Sequence, residues 1–526
     1  MKNKRKALYP LATKHLRFFL LVISSCICGS LLLAMTENTT GIHAEKTGSG
    51  TFGSGARNLV IVVDGMRPDY VTSELMPHVY RMGENGVVGL KSSAVFPTFT
   101  RPNRASIPTG AYPKKHGIIH NTLFHPDLDS PVHSGNLNQM KEFERVTGSP
   151  IMTTVTLGEL LDREGDRLLS MGHASWLLNH HAKGKGWQMP GNFNPEGVEK
   201  EIIEAIGEWP AGGRSHELAS WVVDLYLYDS LGDDPAEVVI MWIGVLDAVS
   251  HASGVGAPET LQTAAHIDQE IGRILQTHEE NGLSDQVNIF ITSDHGFTQS
   301  VGNFQTSRIV NEAGLQDQVE TARNMFFVTS GKMEDKKRLA EAMHRDENVG
   351  TVYSLPAEPG DPTGRIPGTL STDLIHWTHE RSSDLLAVPA WNDEKNEFGW
   401  RGTTTRSGTA THGSDSPFDI HIPMIAYGPD IKKGIRSSVP TGNVDFAPTI
   451  LHLRGITPPE SMDGRVMHEL LIGGPDPQSI VVGEYNHRTA ITYPDGFRYQ
   501  SEVEIMRVGN TTYLVGSKTV RNKKKE

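Results

Sequence analysis

Apolar, strand-like runs in this chain end close to acidic residues and histidines. Asp64 closes the run NLVIVVDG, Asp247 follows EVVIMWIGVL, and Asp294 and His295 follow VNIFIT. Runs that are apolar throughout are typical of central parallel strands, and ligands of open α/β sheets bind outside the carboxyl ends of such strands. We therefore predict an α/β protein in which three strands deliver these side chains to one edge of the sheet.

His251 and His412 extend this set to six oxygen and imidazole donors. Donors of these types suit divalent metals such as zinc, and six of them are too many for one tetrahedral ion. The set therefore predicts a hydrolytic site that holds two divalent metal ions, with Zn²⁺ as the expected metal.

The first 34 residues differ from the rest of the chain. Basic residues precede the apolar run FFLLVISSCICGSLLLA, and no acidic residue occurs before Glu37. This pattern is typical of an export signal, and its length also allows a retained membrane anchor; a buried core helix is the weaker alternative. A lipoprotein-like box ends at Cys26, but apolar residues continue past it, which argues against lipidation there. We expect residues 1–34 to be a signal peptide or anchor, residues 35–57 a linker, and the folded body to be periplasmic, extracellular or membrane-anchored outside the cytoplasm.

The 526 residues exceed the length at which one hydrophobic core usually stops growing. Hydrophobic residues (37%) and charged residues (21%) occur at proportions that are ordinary for a soluble globular protein and argue against a disordered or polytopic membrane protein. We predict a main domain from residues 58–310 and 401–475, with a largely parallel sheet flanked by helices. Residues 311–400 are predicted to form an inserted, smaller α+β cap, and residues 476–526 a C-terminal segment with a solvated basic tail at Arg521–Lys525.

Helical periodicity is clear in the segment PETLQTAAHIDQEIGRILQTHEENG, in which Leu261, Ala264, Ile271 and Ile274 fall on one side. Gly282 supplies a stop signal. This helix would connect the strand before Asp247 to the strand before Asp294 as a crossover between parallel strands.

A second informative segment is FPTFTRPNRASIPTG. Proline is tolerated in the first turn of a helix, so Pro102 predicts a helix that begins near Asn103. Such a start places the Thr100 hydroxyl beside free backbone amides, where a phosphoryl oxyanion binds well. A threonine is a weak nucleophile that a divalent metal can activate. For an isolated threonine, a helix cap would be the simpler interpretation.

Six motifs, taken in order, resemble the alkaline phosphatase superfamily, and most closely its nucleotide pyrophosphatase/phosphodiesterase branch, the type I phosphodiesterases. The resemblance runs from Asn58 to about Leu471 and implies an alkaline-phosphatase-like α/β sandwich. The motifs are VVDGMRPDY, FPTFTRPN, TGAYPKKHGIIHN, LDAVSHASG, ITSDHGF and THGSD.

The resemblance also implies roles for single residues. Thr100 would be the nucleophile and would also bind a metal, and Asn121 would donate to a phosphate oxygen. A phosphothreonine would form first, and water would then hydrolyse it. The residues implied to hold one metal are Asp64, Asp294 and His295, and those implied to hold the other are Asp247, His251 and His412.

Two residues depart from the pattern of that branch. Arg101 stands where an aromatic or apolar residue is common, and Arg104 replaces a usual histidine. Either guanidinium could favour a substrate with more negative charge, and a structural ion pair is the alternative for both.

Asp445 precedes Phe-Ala-Pro and is interpreted as a helix N-cap rather than a ligand. Asp69 and Asp415 are left out of the predicted site.

The expected activity is hydrolysis of phosphodiester or pyrophosphate bonds in a small, nucleotide-like phosphate ester. A phosphomonoesterase or phosphonoacetate hydrolase on the same scaffold is the nearest alternative, and a non-catalytic binding protein that retained the fold is an alternative of another class. The net charge of −13 makes bulk nucleic acid an improbable partner. A membrane is expected as a partner only through the N-terminal segment, and the sequence leaves the oligomeric state open.

Overall fold

The computed structural model describes residues 53–128, 130–172, 187–189, 197–211 and 215–522. The strands, in chain order, are β1 Arg57–Val63, β2 Val87–Ser93, β3 Thr122–Leu123, β4 Val132–His133, β5 Leu168–Gly172, β6 Trp187–Met189, β7 Val238–Ile243, β8 Val287–Thr292, β9 Thr298–Ser300, β10 Val319–Ala322, β11 Met325–Val328, β12 Val349–Ser354, β13 Leu370–Ser371, β14 Leu385–Pro389, β15 Trp391–Lys395, β16 Arg401–Thr404, β17 Ala410–Thr411, β18 His421–Tyr427, β19 Ile435–Ser437, β20 Thr441–Gly442, β21 Val482–Thr492, β22 Arg498–Val508 and β23 Thr511–Asn522. The helices are α1 Pro77–Asn85, α2 Thr100–Thr109, α3 Pro113–His116, α4 Leu137–Thr147, α5 Leu157–Arg163, α6 Val198–Ile206, α7 His216–Ser230, α8 Val245–Ser253, α9 Pro258–Glu280, α10 Thr306–Glu312, α11 Met333–Arg345, α12 Pro417–Ile420 and α13 Phe446–Leu453.

The central sheet has the strand order β19-β2-β18-β8-β1-β7-β5-β6, and β20 also pairs with β2. Strands β6, β5, β7, β1 and β8 run parallel to one another. Strand β18 is antiparallel to both β8 and β2. The prediction of a largely parallel sheet is confirmed, with β18 as the exception. Because β1 lies between β7 and β8, the carboxyl ends of three parallel strands meet at one edge.

Alternate residues of β1 face opposite sides of the sheet, as the twofold period of a strand requires. Leu59 and Ile61 pack in a cluster with residues of helices α7 and α9. Val60 and Val62 pack in a second cluster with residues of α2, α5 and α13. Helices therefore cover both faces, which explains why the sequence of β1 is apolar at every position.

Helix α9 coincides with the segment of helical periodicity. It buries Ile271 and Ile274 against the sheet and ends one residue before Asn281. Gly282 follows with φ +69°, a left-handed conformation that glycine adopts without a steric cost. The predicted helix and its stop signal are both present.

A second, five-stranded sheet has the order β10-β11-β14-β12-β13. Helix α11 buries Leu339 and Met343 in the same cluster as Val352 of β12 and Tyr499 of β22. The C-terminal strands β21, β22 and β23 form an antiparallel sheet. The C-terminal segment therefore shares a hydrophobic core with the segment predicted to be a cap.

The prediction of a solvated tail that begins at Arg521 is wrong for that residue. Arg521 belongs to β23, and its guanidinium donates to the backbone oxygen of His344. Its Cζ lies 5.1 Å from the ring centroid of Tyr499. The sequence showed only a run of basic residues, and it gave no sign that the first of them packs on an aromatic ring. Residues 523–526 lie outside the described part of the chain.

Among the described residues, no helix combines the length and apolar character that crossing a membrane requires. The predicted signal peptide or anchor, residues 1–34, lies outside the described residues, as does most of the predicted linker.

His344 is a buried histidine far along the chain from the predicted site. Its ring stacks on Tyr499 with 4.1 Å between centroids, and its Nδ1 lies 2.7 Å from the hydroxyl of Tyr493. Burial, together with the nearby charge of Arg521, lowers the pKa of His344 to about 3. The folded protein therefore keeps this imidazole neutral at moderately acidic pH.

This shift predicts a loss of stability in acid. The unfolded chain protonates His344 near pH ~6.5, whereas the folded chain does so only near pH 3, so stability falls as the pH drops through this window. From about pH 7.5 to about pH 5, His344 should remove about 2 kcal/mol from the free energy of unfolding. Urea unfolding at both pH values measures the free energy of unfolding. This free energy should change less with pH in His344→Gln than in the wild type or in the partly exposed control His125→Gln. Equal pH dependence in all three proteins would refute the assignment.

Candidate active site

One group of predicted ligands lies where β1 and β8 end. Asp64 directly follows β1, and Asp294 and His295 follow β8, which is parallel to β1. All three side chains are fully buried. Nε2 of His295 lies 3.2 Å from Asp294 Oδ2 and 3.5 Å from Asp64 Oδ1. Their donor atoms all lie within 4.8 Å of one another, so the group could hold one metal ion.

The second group comes from a helix and a loop. Asp247 and His251 stand four residues apart on α8, and His412 follows β17. Nε2 of His251 lies 3.3 Å from Asp247 Oδ1, and Nε2 of His412 lies 3.5 Å from the same oxygen. Asp247 was expected at a strand end, but β7 stops at Ile243 and the carboxylate lies in the first turn of the helix. These donors also lie within 4.8 Å of one another.

The two groups adjoin, because the rings of His295 and His412 are stacked with 3.4 Å between their centroids. The Nδ1 atom of each histidine faces a backbone carbonyl, which can only accept, so Nδ1 carries the proton. When such a ring is neutral, its Nε2 presents a lone pair toward the carboxylates. The three contacts are His295 to Gly296 O at 3.0 Å, His251 to Ala410 O at 2.9 Å and His412 to Thr98 O at 2.8 Å.

Three carboxylates are concentrated in this small buried volume. Burial raises the pKa of Asp294 well above its usual range, and the charges of Asp64 and Asp247 raise it further. Among the described residues, Asp64 Oδ1 and Asp294 Oδ2 are buried without a hydrogen-bond partner. Burial of carboxylates is costly unless cations or donors compensate it. Carboxylate oxygens and imidazole lone pairs that converge in this way fit divalent cations.

Thr100 is the first residue of α2, and Phe99 occupies the N-cap position. The helix therefore begins three residues earlier than predicted, and the Thr100 hydroxyl does not cap it. Instead, Oγ1 lies 3.3 Å from Nε2 of His295, at the first group of ligands. Asn121 Oδ1 accepts from the backbone N–H of Arg101 at 3.0 Å, so its NH₂ group is the donor that the amide can offer an anion.

Arg104 is fully buried beside the first group. Its guanidinium lies 3.7 Å from Asp64 Oδ2 and 4.2 Å from the ring centroid of Trp242. Trp242 Nε1 donates to Asp64 Oδ2 at 2.9 Å. Sequence reasoning missed Trp242, because a tryptophan within an apolar strand looks like an ordinary core residue. The buried guanidinium of Arg104 thus lies next to the carboxylate of Asp64, a predicted ligand. This arrangement fits the structural ion pair that was the alternative to a substrate contact.

Asp445 stands at the N-cap position of α13, as predicted, but its side chain caps nothing in that helix. Its carboxylate accepts from the backbone of Gly442 and Arg465 and from the hydroxyl of Tyr513. Burial raises its pKa to about 6. The two other acidic residues left out of the site also have partners, Arg67 for Asp69 and Tyr353 for Asp415.

Comparisons with known proteins agree with the resemblance read from the motifs. A model of the family described as type I phosphodiesterase/nucleotide pyrophosphatase matches residues 58–415. The bis(5'-adenosyl)-triphosphatase ENPP4 of Bos taurus is 24% identical over 436 residues, which cover 80% of this chain and 82% of that protein. Ectonucleotide pyrophosphatase/phosphodiesterase family member 5 of Homo sapiens is 25% identical over 417 residues, covering 76% of this chain and 74% of that protein.

Solved structures show the same fold. Murine ectonucleotide pyrophosphatase/phosphodiesterase 5, determined as an inactive variant in complex with AMP, superposes with a TM-score of 0.56 at 20% identity. The match covers 77% of this chain and 96% of that one. The predicted alkaline-phosphatase-like α/β fold is therefore confirmed, and the chain belongs to the type I phosphodiesterase/nucleotide pyrophosphatase family of the alkaline phosphatase superfamily.

Proposed function

We propose that this protein is an exported, two-metal hydrolase that cleaves phosphodiester or pyrophosphate bonds in small, nucleotide-like substrates through a phosphothreonine intermediate. The observation that carries the proposal is the position of the Thr100 hydroxyl, 3.3 Å from Nε2 of His295, beside two adjoining groups of candidate metal ligands.

The two ligand groups define where the metals would bind. Asp64, Asp294 and His295 would hold one divalent ion, and Asp247, His251 and His412 the other, with Zn²⁺ as the expected metal. Two such ions would lower the pKa of the nucleophile and offset charge on the attacking and departing oxygens. The chain's part is to hold the carboxylates and imidazoles converged, with the backbone carbonyls fixing the imidazole tautomers.

In the first step, Thr100 Oγ1 loses its proton to solvent and attacks phosphorus, the bond from phosphorus to the leaving oxygen breaks, and that oxygen takes up a proton from solvent. In the second step, water attacks the phosphothreonine, the bond between Oγ1 and phosphorus breaks, Oγ1 regains a proton that the water gives up, and a phosphate monoester leaves. The Asn121 NH₂ group and the backbone N–H of Thr100 would stabilise the equatorial oxygens of each transition state, because negative charge spreads over those oxygens.

The names of the relatives support a nucleotide-like substrate. One is a bis(5'-adenosyl)-triphosphatase, and a related enzyme was solved with AMP. The net charge of −13 disfavours the long polyphosphate backbone of a nucleic acid. We further propose export, on the basis of the basic and apolar N-terminal segment.

A parallel assay tests the reaction class. The zinc-loaded protein is expected to turn over bis(p-nitrophenyl) phosphate, a diester, with a kcat/KM at least about 10-fold above that for p-nitrophenyl phosphate, a monoester. The reason is that Asn121 and the start of α2 would bind two non-bridging oxygens, which is the number a diester has, whereas a monoester has a third. Release of p-nitrophenol measures both rates in the same buffer. A higher kcat/KM for the monoester would contradict the proposal and show that the protein is a phosphomonoesterase. If the protein cleaved neither ester nor diadenosine triphosphate, the alternative of a non-catalytic binding protein would be favoured.

A further inference from the structure

The strand β21 forms one edge of the C-terminal sheet, which has the order β21-β22-β23. All of its residues, Val482–Thr492, pair with β22 in a regular antiparallel register. Among the described residues, no backbone hydrogen bond joins β21 to any segment other than β22. In an edge strand, every second residue points its N–H and C=O away from the neighbouring strand. The outer side of β21 therefore presents a row of backbone donors and acceptors to another strand.

The opposite edge of the same sheet, β23, is used within the chain. The backbone N–H of Ser517 donates to the backbone oxygen of Asp415 at 3.0 Å. The neighbouring Gly516 lies so close to α12 that an added Cβ would come within 3.2 Å of Pro417. The fold thus covers one edge of the sheet with its own loop and helix, and it leaves the other edge open.

The open edge lacks the features by which proteins usually prevent edge strands from pairing. Prolines, lysines and bulges are the common ones. The sequence of β21 contains no proline and no lysine, and its register with β22 has no bulge. Glu484, Tyr485 and Asn486 are exposed in succession, and Val481, directly before the strand, is 85% exposed. A strand of another molecule can therefore approach this edge.

The sequence around Asn486 is complementary to itself. Two copies of a strand that pair antiparallel about Asn486 place opposite each other the residues that lie equally far from it on either side. These pairs are aromatic, oppositely charged, small or apolar: Tyr485 with His487, Glu484 with Arg488, Gly483 with Thr489, Val482 with Ala490, and Val481 with Ile491. Aromatic and opposite-charge pairs across strands stabilise a sheet. The occupant that this edge fits is therefore the same strand of a second copy.

The two charged residues of β21 fix the register of this pairing. Glu484 and Arg488 lie on the same face, because side chains alternate along a strand. Nε and Nη2 of Arg488 donate to Glu502 of β22 at 2.8 and 3.0 Å, which leaves Nη1 for a second carboxylate. Glu484 lies 3.6 Å from Nζ of Lys91, and both side chains are exposed. Pairing about Asn486 sets Glu484 opposite Arg488 twice, and any other register within β21 removes both pairs.

We propose that β21 pairs with β21 of a second copy of this chain, antiparallel about Asn486, so that the two C-terminal sheets join into one continuous sheet. The interface is isologous, since the same surface of both copies takes part. Backbone hydrogen bonds along the joined edges hold the copies together, and the opposing side chains set the register. This inference goes beyond the proposed function and does not depend on it.

Charge reversal tests the proposed register. Sedimentation velocity of the full chain, in a mild detergent that covers its apolar N-terminal segment, should show a dimer that dissociates on dilution. Glu484→Arg and Arg488→Glu each set like charges opposite each other twice, so each should raise the dimer Kd at least about 30-fold. An equal mixture of the two variants should dimerise with a Kd within about threefold of the wild type, because every arginine then faces a glutamate.

The matched control is Glu358→Arg, the same charge reversal at an exposed position outside β21. It should dimerise like the wild type. A wild-type protein that stays monomeric, or charge variants that dimerise as tightly as the wild type, would overturn the inference. Loss of the dimer in both variants without recovery on mixing would also contradict it, because the loss would then come from damage to the strand.

A cross-link gives an independent test of the two-fold axis. The background is Cys26→Ser/Cys28→Ser, which removes both cysteines of the sequence. In this background, Asn486→Cys should oxidise to a covalent dimer, because directly opposite Cα atoms lie about 4.5–5.5 Å apart, within the range of a disulfide. Ala490→Cys should stay monomeric on a non-reducing gel. Residue 490 of one copy faces Val482 of the other, so the two new thiols are roughly 26 Å apart. Equal cross-linking of both variants would show that the copies meet elsewhere.

Discussion

The Thr100→Ala variant, loaded with metal, is expected to lose at least about 10⁴-fold in kcat. The hydroxyl lies at the start of α2, 3.3 Å from Nε2 of His295, and it would form the covalent bond to phosphorus. Because Oγ1 does not cap the helix, its removal should leave the fold intact. Release of p-nitrophenol from bis(p-nitrophenyl) phosphate measures the loss.

Two further measurements separate a nucleophile from a residue that only shapes the site. Thr100→Ser keeps a hydroxyl and should retain far more activity than Thr100→Ala. Acid quenching during turnover of a ³²P-labelled diester should trap labelled protein in the wild type and none in Thr100→Ala. Both variants should melt within about 2 °C of the wild type. Equal labelling of Thr100→Ala would show that another residue attacks phosphorus.

The closeness of the candidate ligands could be predicted because their positions depend on a simple regularity. Apolar runs marked β1, β7 and β8 as central parallel strands, and the carboxyl ends of such strands meet at one edge. Asp64 and Asp294 therefore had to lie close together. The spacing of Asp247 and His251 fits one helical turn, and the helix α8 has that spacing. Only motif context singled out His412, which comes from a loop.

The surroundings of these candidate ligands could not be predicted in the same way. Trp242 binds Asp64 through its indole N–H, but its position in an apolar strand looks like ordinary packing. The carbonyls that orient the histidines are backbone atoms, which leave no trace in the sequence.

Chelation is expected to abolish activity and to destabilise the fold. The metal-free site retains three buried carboxylates, and burial and mutual repulsion raise the pKa of Asp294. Each ion that binds the folded state at about 1,000 times its Kd would contribute about 4 kcal/mol to the free energy of unfolding. Dialysis against EDTA should therefore lower the melting temperature and reduce kcat more than about 10³-fold, because the chemistry needs both metals. Zinc should restore both, and elemental analysis should give two ions per chain.

Asp294→Asn distinguishes metal binding from simple structural damage. Removing one of three crowded negative charges should leave the metal-free protein as stable as the wild type or more stable, because repulsion is relieved. The same change should lower the stability gained on adding zinc, because a ligand is lost. The matched control is Asp415→Asn, at a buried carboxylate outside the site that accepts a hydrogen bond from Tyr353. It should change the free energy of unfolding by the same amount in the metal-free and in the zinc-loaded protein. Urea unfolding of each variant with zinc and with EDTA, compared with the wild type under the same condition, measures these changes. If Asp294→Asn destabilised the metal-free and the zinc-loaded protein to the same extent, the buried carboxylates would be structural and the two-metal site would have to be abandoned.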